Sequence, residues 1–198
     1  MPRPVRIQRE NTTYHIWTRC LEWRSLLSAG SFKEMLREVL RQTQDFYSFD
    51  LVAYQIMDTH IHLIIRTVPQ AAPISRIMQY LKARFAEQYN KKVGRIGPFW
   101  NERYRDSIIE NSHRPDLYLI WLLWYLAFNP VRKGYVSDPR TYPYGSIRSY
   151  LEEDYRDTVK ITHHEYFTRM GNSFKERIDK FLSFEEAYKR RLSLIWGW

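Results

Sequence analysis

The alternation of hydrophobic and polar residues predicts four β-strands and three long helices. Four short segments are rich in β-branched and aromatic residues, which is typical of strands. These segments are residues 12–19, 50–57, 59–67 and 105–109. Three longer segments repeat their apolar positions at helical spacing, and these are residues 32–47, 74–91 and 114–128. Ser31 is a suitable N-cap for the first helix. The third helix is expected to stop at Asn129-Pro130, because proline disfavours helix at the preceding residue.

The order of these elements predicts an α+β fold of the ferredoxin-like (RRM-like) type. A β-α-β-β-α-β order gives a split βαβ arrangement, in which four antiparallel strands form a sheet with the helices packed on one face. The third strand then pairs with the first and the second and lies near the middle of the sheet. We divide the chain into a domain over residues 1–151 and a helical C-terminal extension over residues 152–198, with helices at about 165–182 and 184–194.

Two histidines share one face of the third predicted strand. Side chains alternate along a strand, so His60 and His62 point together to one side. Ile61, Leu63 and Ile65 point to the other side. Two imidazoles side by side on a strand are half of a metal site. The alternative is a strand that carries two ordinary hydrogen-bonded histidines.

A tyrosine and an asparagine share one face of the third predicted helix. Tyr125 and Asn129 are four residues apart, which places them one turn apart on the same face. The asparagine amide oxygen is a hard ligand that suits Mg²⁺ or Mn²⁺. A phenol one turn from such an ion can act as a nucleophile. The alternative is a tyrosine that only packs in an apolar helix.

The charge of the chain indicates a polyanionic partner. The net charge is +9, and residues 1–151 hold 22 Lys and Arg against 13 Asp and Glu, which accounts for all of the excess. A basic surface beside a candidate metal site is typical of nucleic-acid enzymes. A basic protein without such a partner is the alternative.

Cysteine usage and hydropathy indicate the cytoplasm. Cys20 is the only cysteine, so no intramolecular disulfide can form. Residues 1–11 carry Arg3, Arg6 and Arg9 but no apolar segment of a secretory signal. The longest apolar run, residues 117–128, is too short to span a bilayer. We therefore expect a cytoplasmic, nucleoid-associated protein without a membrane partner.

Basic residues on the second helix and in the segments after it are the candidates for DNA binding. They are Arg76, Lys82, Arg84, Lys91, Lys92, Arg95, Arg103, Arg105, Arg132 and Lys133. A charged helix face that is merely solvated is the alternative. The aromatic and basic segment at residues 99–105 is suited to stack on unpaired bases, or its aromatics anchor a loop to the core.

An ordered set of short motifs carries a resemblance to a known family. The motifs are Tyr14-His15, residues 57–63, Leu81-Lys82, Phe99-Trp100, residues 125–134 (Tyr-Leu-Ala-Phe-Asn-Pro-Val-Arg-Lys-Gly) and residues 142–146 (Tyr-Pro-Tyr-Gly-Ser). In this order, the chain resembles the HUH single-tyrosine transposases, and most closely the REP-associated tyrosine transposase branch. The resemblance covers about residues 12–151.

The resemblance implies a role for each candidate residue. His60, His62 and Asn129 would hold a divalent metal, and Tyr125 would attack the scissile phosphate to give a 5′-phosphotyrosine link to single-stranded, hairpin-forming DNA. Imidazole ligands by themselves favour Zn²⁺ or Mn²⁺, whereas the family implies Mg²⁺ or Mn²⁺, which we adopt. The protein would act as a monomer or a homodimer.

Two positions depart from the family pattern, which commonly has proline at Asp58 and asparagine at Thr59. Asp58 is either an extra metal ligand or, as we favour, a turn residue.

His15 is an accessory candidate that either assists the site or packs in the core. His163-His164 is interpreted as a surface pair, because adjacent residues do not share a face of a helix or strand.

Three functions fit the sequence: a DNA strand transferase, a hairpin-DNA-binding module that does not cut, and a metal-dependent nuclease that uses water. The C-terminal extension either closes over the site, supports a dimer or extends the DNA contact.

Overall fold

A single antiparallel sheet forms the centre of the protein. The computed structural model describes residues 9–196, so Arg3 and Arg6 and the last two residues of the predicted extension lie outside the described part. The strands are β1 (Thr13–Arg19), β2 (Phe49–Ile56), β3 (His60–Thr67) and β4 (Arg105–Ile108). The helices are α1 (Gly30–Phe46), α2 (Ile74–Val93), α3 (Pro115–Arg132), α4 (Arg148–Leu151), α5 (Glu165–Thr168) and α6 (Phe174–Trp196). The sheet order is β2-β3-β1-β4, which confirms that the histidine strand pairs with both β1 and β2.

The two faces of the sheet are covered by different helices. On one face Ile16, Leu63 and Ile65 join the core that contains the buried residues of α1 and α2, as the ferredoxin-like prediction expects. The other face, which carries His60 and His62 and is called the histidine face below, is covered by α3 and the C-terminal extension. Helix α3 is apolar on nearly all sides, because it is buried between the histidine face of the sheet and the C-terminal extension.

Helix α3 continues two residues beyond Pro130 and ends at Arg132, so the predicted stop at Asn129 is wrong. Bonds beyond the proline satisfy the last carbonyls: the Lys133 amide donates to Asn129 O at 3.1 Å and the Tyr135 amide donates to Pro130 O at 2.9 Å. Gly134, with φ of +70°, turns the chain there. Asn129 is therefore helical and stays in register with Tyr125.

The C-terminal extension packs tightly on α3. The Trp124 and Phe181 rings stack 4.5 Å apart, and Trp124 Nε1 donates a hydrogen bond to Phe181 O at 3.1 Å. Helices at about 165–182 and 184–194 were predicted, and these bounds are wrong: α5 ends at Thr168, and α6 runs without a break from Phe174 to Trp196. No helix within residues 9–196 has the length and apolarity needed to cross a membrane.

The predicted N-cap of the first helix is also wrong. Helix α1 begins at Gly30, and Ala29 occupies the N-cap position without a side-chain hydrogen bond. The Phe32 amide donates to Ala29 O at 3.0 Å, so the first turn begins two residues earlier than an N-cap at Ser31 would place it.

The segment around Gly145 protects the outer edge of β2. Backbone hydrogen bonds join Ile56 N to Tyr144 O at 2.9 Å and Ser146 N to Tyr54 O at 3.1 Å. A Cβ atom at Gly145 would collide with the Gln55 side chain, which would then have to move. The Tyr-Pro-Tyr-Gly-Ser motif thus covers an edge strand that would otherwise be open.

Candidate metal and nucleophile site

The two histidines of β3 present one free ring nitrogen each. Their rings lie 5.1 Å apart and nearly perpendicular. His60 Nδ1 is 2.9 Å from Thr59 Oγ1, and His62 Nδ1 is 3.0 Å from His15 Nε2. With both Nδ1 atoms engaged, Nε2 is the atom of each ring that remains to bind a metal.

Burial keeps both imidazoles neutral. It lowers the pKa of His60 to about 4, helped by the positive charges of Lys133 and Arg19. Burial also lowers the pKa of His62 well below its usual range, and the neighbouring His15 and His60 add to this shift. The neutral imidazole is the form that binds metals, so no proton has to leave at neutral pH.

Helix α3 brings Tyr125 to the histidine pair. The Tyr125 ring lies 5.9 Å from the His62 ring and is edge-on to it. Asn129 is one turn further along and only 8% exposed, and its Nδ2 donates to Tyr125 O at 3.1 Å. That hydrogen bond leaves the Asn129 Oδ1 atom as the acceptor that remains for a ligand.

This donor set fits an open metal site. Two imidazole nitrogens and one amide oxygen leave several coordination positions for substrate and water. Within residues 9–196, no group of three or more His, Cys, Asp or Glu residues is suited to hold a metal. Asn129, which belongs to another residue class, stays the third protein ligand that the resemblance implies.

The two accessory candidates take different positions. His15 is 7% exposed and is both hydrogen-bonded to and stacked on His62, with ring centroids 5.2 Å apart. The Asp58 carboxylate is instead directed at Lys33, with an Nζ–Oδ1 distance of 2.6 Å. Lys33 itself lies over the Tyr144 ring at 5.0 Å. Asp58 therefore ties the β2–β3 turn to α1 and is engaged as an ion-pair partner.

The candidate DNA-binding residues fall into three groups. The Arg132 guanidinium carbon lies 5.6 Å from the centroid of the Tyr125 ring, and Lys133 is close enough to His60 to lower its pKa. Exposed residues of α2 belong to the helix layer across the sheet from the histidine face, and they are Arg76, Arg84, Lys91 and Lys92. Only the first group adjoins the candidate site.

The remaining candidates surround the segment at residues 99–105. Lys82 Nζ donates to Glu102 O at 2.6 Å and Arg95 donates to Pro98 O at 2.9 Å, so both side chains help to hold this segment. Arg103 and Arg105 are exposed beside them.

The aromatics of that segment anchor it to the core. Phe99 is 1% exposed and Trp100 is 8% exposed, and Trp100 Nε1 donates to Lys82 O at 3.0 Å. Their rings pack against Phe85. Of the two interpretations of the segment, loop anchoring describes these two aromatics, and they are not available to stack on bases.

Arg19 is a residue beside the site that the sequence did not single out. It pairs with His60 across β1 and β3, contacts the Trp23 ring at 4.0 Å and forms an ion pair with Glu102 at 2.9 Å. The sequence does contain an indication of this position, because the alternation along β1 places Arg19 on the same face of the strand as His15.

The interpretation of His163-His164 as a surface pair is wrong. His164 is 3% exposed, with Nε2 3.0 Å from Thr13 Oγ1 and Nδ1 accepting from Tyr166 N. His163 Nε2 is 2.7 Å from Ser149 O. Adjacent side chains point in different directions, so each ring joins the extension to a different part of the domain.

Comparison with known proteins identifies the family. Residues 8–117 match the family described as "Transposase IS200 like". A Haemophilus influenzae protein named "Putative REP-associated tyrosine transposase" is 32% identical over 117 residues, which is 56% of this chain and 66%, just under two thirds, of that relative. Tyr125 and Asn129 lie beyond the segment that matches the family model.

A solved structure supports the same relationship at the level of the fold. The structure of a REP-associated tyrosine transposase bound to a REP hairpin superposes with a TM-score of 0.62 at 17% identity, covering 84% of this chain and 96% of that one. These matches confirm the resemblance and the α+β fold that the sequence predicted. The chain belongs to the IS200-like transposase family.

Proposed function

We propose that this protein is a strand transferase that cuts and rejoins single-stranded, hairpin-forming DNA through a 5′-phosphotyrosine intermediate on Tyr125. The observation that supports it is the edge-on packing of the Tyr125 ring against His62 at 5.9 Å, with Asn129 one turn further on the same helix. The relative whose structure contains a REP hairpin makes repeat hairpins the first substrate to test. Such a substrate implies action at the nucleoid.

The proposed step exchanges one phosphoester bond for another. The phenolic oxygen of Tyr125 attacks the scissile phosphorus, a bond forms between them, and the bond from phosphorus to the 3′ oxygen breaks. The phenol gives up its proton and the released 3′ oxygen takes one up. Attack by that 3′-OH on the phosphotyrosine reverses the step, so rejoining needs no external energy.

His60 and His62 through Nε2, and Asn129 through Oδ1, would hold the divalent ion, which is Mg²⁺ or Mn²⁺ in this proposal. Such an ion, when bound, withdraws negative charge from the scissile phosphate. Arg132, which lies over the Tyr125 ring, supplies a fixed positive charge for the phosphate beside the nucleophile.

A labelled hairpin oligonucleotide with single-stranded flanks, incubated with Mn²⁺, tests the proposal. We expect a protein–DNA adduct that survives SDS and is absent in Tyr125→Phe. Tyr118→Phe is the matched control, because Tyr118 lies on the same helix two turns earlier and is 37% exposed. It should form the adduct as the wild type does.

The two competing functions give different results in this assay. DNA that is shifted on a native gel but never cut would indicate a hairpin-binding module. Cleavage that persists in Tyr125→Phe would indicate a nuclease that uses water. Either result overturns the strand-transferase proposal.

A further inference from the structure

A third histidine lies behind the candidate metal ligands, on the neighbouring strand. His15 is on β1, where the register pairs it with Ile64 and pairs Trp17, two residues further on, with His62. The His15 and His62 rings are stacked at an interplanar angle of 17°, and His15 Nε2 is 3.0 Å from His62 Nδ1. Trp17 packs on His15 with ring centroids 5.2 Å apart. The His15 ring is thus held between Trp17 and His62.

The direction of this hydrogen bond follows from the use of His62 as a ligand. A neutral imidazole that binds a metal through Nε2 carries its proton on Nδ1. His62 Nδ1 must then donate, and His15 Nε2 must accept. With its Nε2 as the acceptor, His15 favours the ring tautomer and the ring orientation that leave His62 Nε2 free.

We propose that His15 is a positioning residue, which holds His62 in the tautomer and orientation that bind the divalent ion beside Tyr125. The inference rests on the proposed function, since it assigns a partner to one of its ligands. Ligand histidines commonly donate their second ring nitrogen to such a partner, and loss of the partner weakens metal binding about 10–100-fold.

The partner of the other ligand differs in kind. His60 Nδ1 contacts the hydroxyl of Thr59, the residue just before it, in a turn that is partly exposed. Water can replace that hydroxyl on a partly exposed ring. His15 and His62 are 7% and 6% exposed, so water cannot easily take the place of His15. The larger effect is therefore expected at His15.

The test compares three variants in Mn²⁺ binding, measured from the electron paramagnetic resonance signal of free Mn²⁺. His15→Phe keeps an aromatic ring but removes the acceptor, and we expect about 10–100-fold weaker binding. His15→Gln restores an acceptor close to the position of Nε2 and should recover most of the affinity. His113→Phe, which replaces an exposed histidine, should bind as the wild type does.

A second measurement reads the tautomer directly. In metal-free protein, ¹⁵N NMR of the imidazoles should show the His62 proton on Nδ1 in the wild type and in His15→Gln, and a mixture of tautomers in His15→Phe. Affinity for a hairpin oligonucleotide in EDTA should be the same in all of these variants. If His15→Phe does not fold, the position of the His62 proton in the wild type decides the matter.

The outcomes separate this inference from the proposed function. Mn²⁺ affinity of His15→Phe equal to that of the wild type shows that His15 only packs, and it leaves the strand-transferase proposal standing. A His62 proton on Nε2 in the wild type overturns the inference in the same way. Failure of the wild type to bind Mn²⁺ overturns both proposals together.

Discussion

Replacing Phe181 by alanine should strongly destabilise the protein, because this ring joins α6 to the helix that carries Tyr125. Phe181 is fully buried and stacks on Trp124 at 4.5 Å. It also lies 5.5 Å from Phe167 and 5.8 Å from Tyr150, measured between ring centroids. The variant leaves a cavity inside this aromatic cluster, and a buried Phe→Ala change costs about 3–5 kcal/mol of unfolding free energy.

Urea unfolding, followed by tryptophan fluorescence and circular dichroism, measures this change. For a chain of this size, the loss corresponds to a fall of roughly 6–20 °C in melting temperature. Leu194→Ala is the matched control on the same helix, because Leu194 is 88% exposed and its loss should cost less than about 0.5 kcal/mol. Equal stability of Phe181→Ala and the wild type would refute the packing of α6 on α3.

Three further predictions concern titration, catalysis and DNA affinity. Burial lowers the pKa of His164 from 6.5, so the unfolded chain binds the proton first as the pH falls. The free energy of unfolding should therefore decrease as the pH drops below about 6.5. Urea titrations at several pH values should show a shallower decrease in His164→Gln than in the wild type, and an equal slope contradicts this. The His60→Ala, His62→Ala double variant should lose cleavage but keep salt-sensitive hairpin binding, and complete loss of binding means that these residues mainly grip DNA. Arg132→Ala should slow cleavage and reduce the salt dependence of binding by about one phosphate contact, measured by fluorescence anisotropy, and an unchanged slope means that Arg132 does not meet the phosphate.

The strands and the first two helices could be predicted because burial leaves a local period in the sequence. The alternation around His60 and His62 separates the face of β3 in the α1–α2 core from the face under α3, and the structure places β3 in the middle of the sheet. The end of α3 at Arg132 could not be predicted in this way. The local effect of Pro130 is offset by capping bonds from residues beyond it, which a rule about neighbouring residues does not include.

The candidate site was predictable only in part, for the same reason. The spacing of Tyr125 and Asn129 defines a shared helix face, but the approach of that face to His62 depends on packing between distant segments. The sequence left two roles open for His15, and it wrongly predicted that His164 lies at the surface. His164 contacts Thr13, a residue 151 positions away in the chain, and no local pattern reports such a contact.

The chemical identity of the DNA-linked residue tests the central claim most directly. The adduct formed with a hairpin oligonucleotide is digested with nuclease and trypsin, and the peptide with the residual nucleotide is sequenced by tandem mass spectrometry. The account predicts a 5′-phosphate ester on the phenolic oxygen of Tyr125. A nucleotide attached to Tyr118 or to any other side chain, or the absence of any modified peptide, would contradict it.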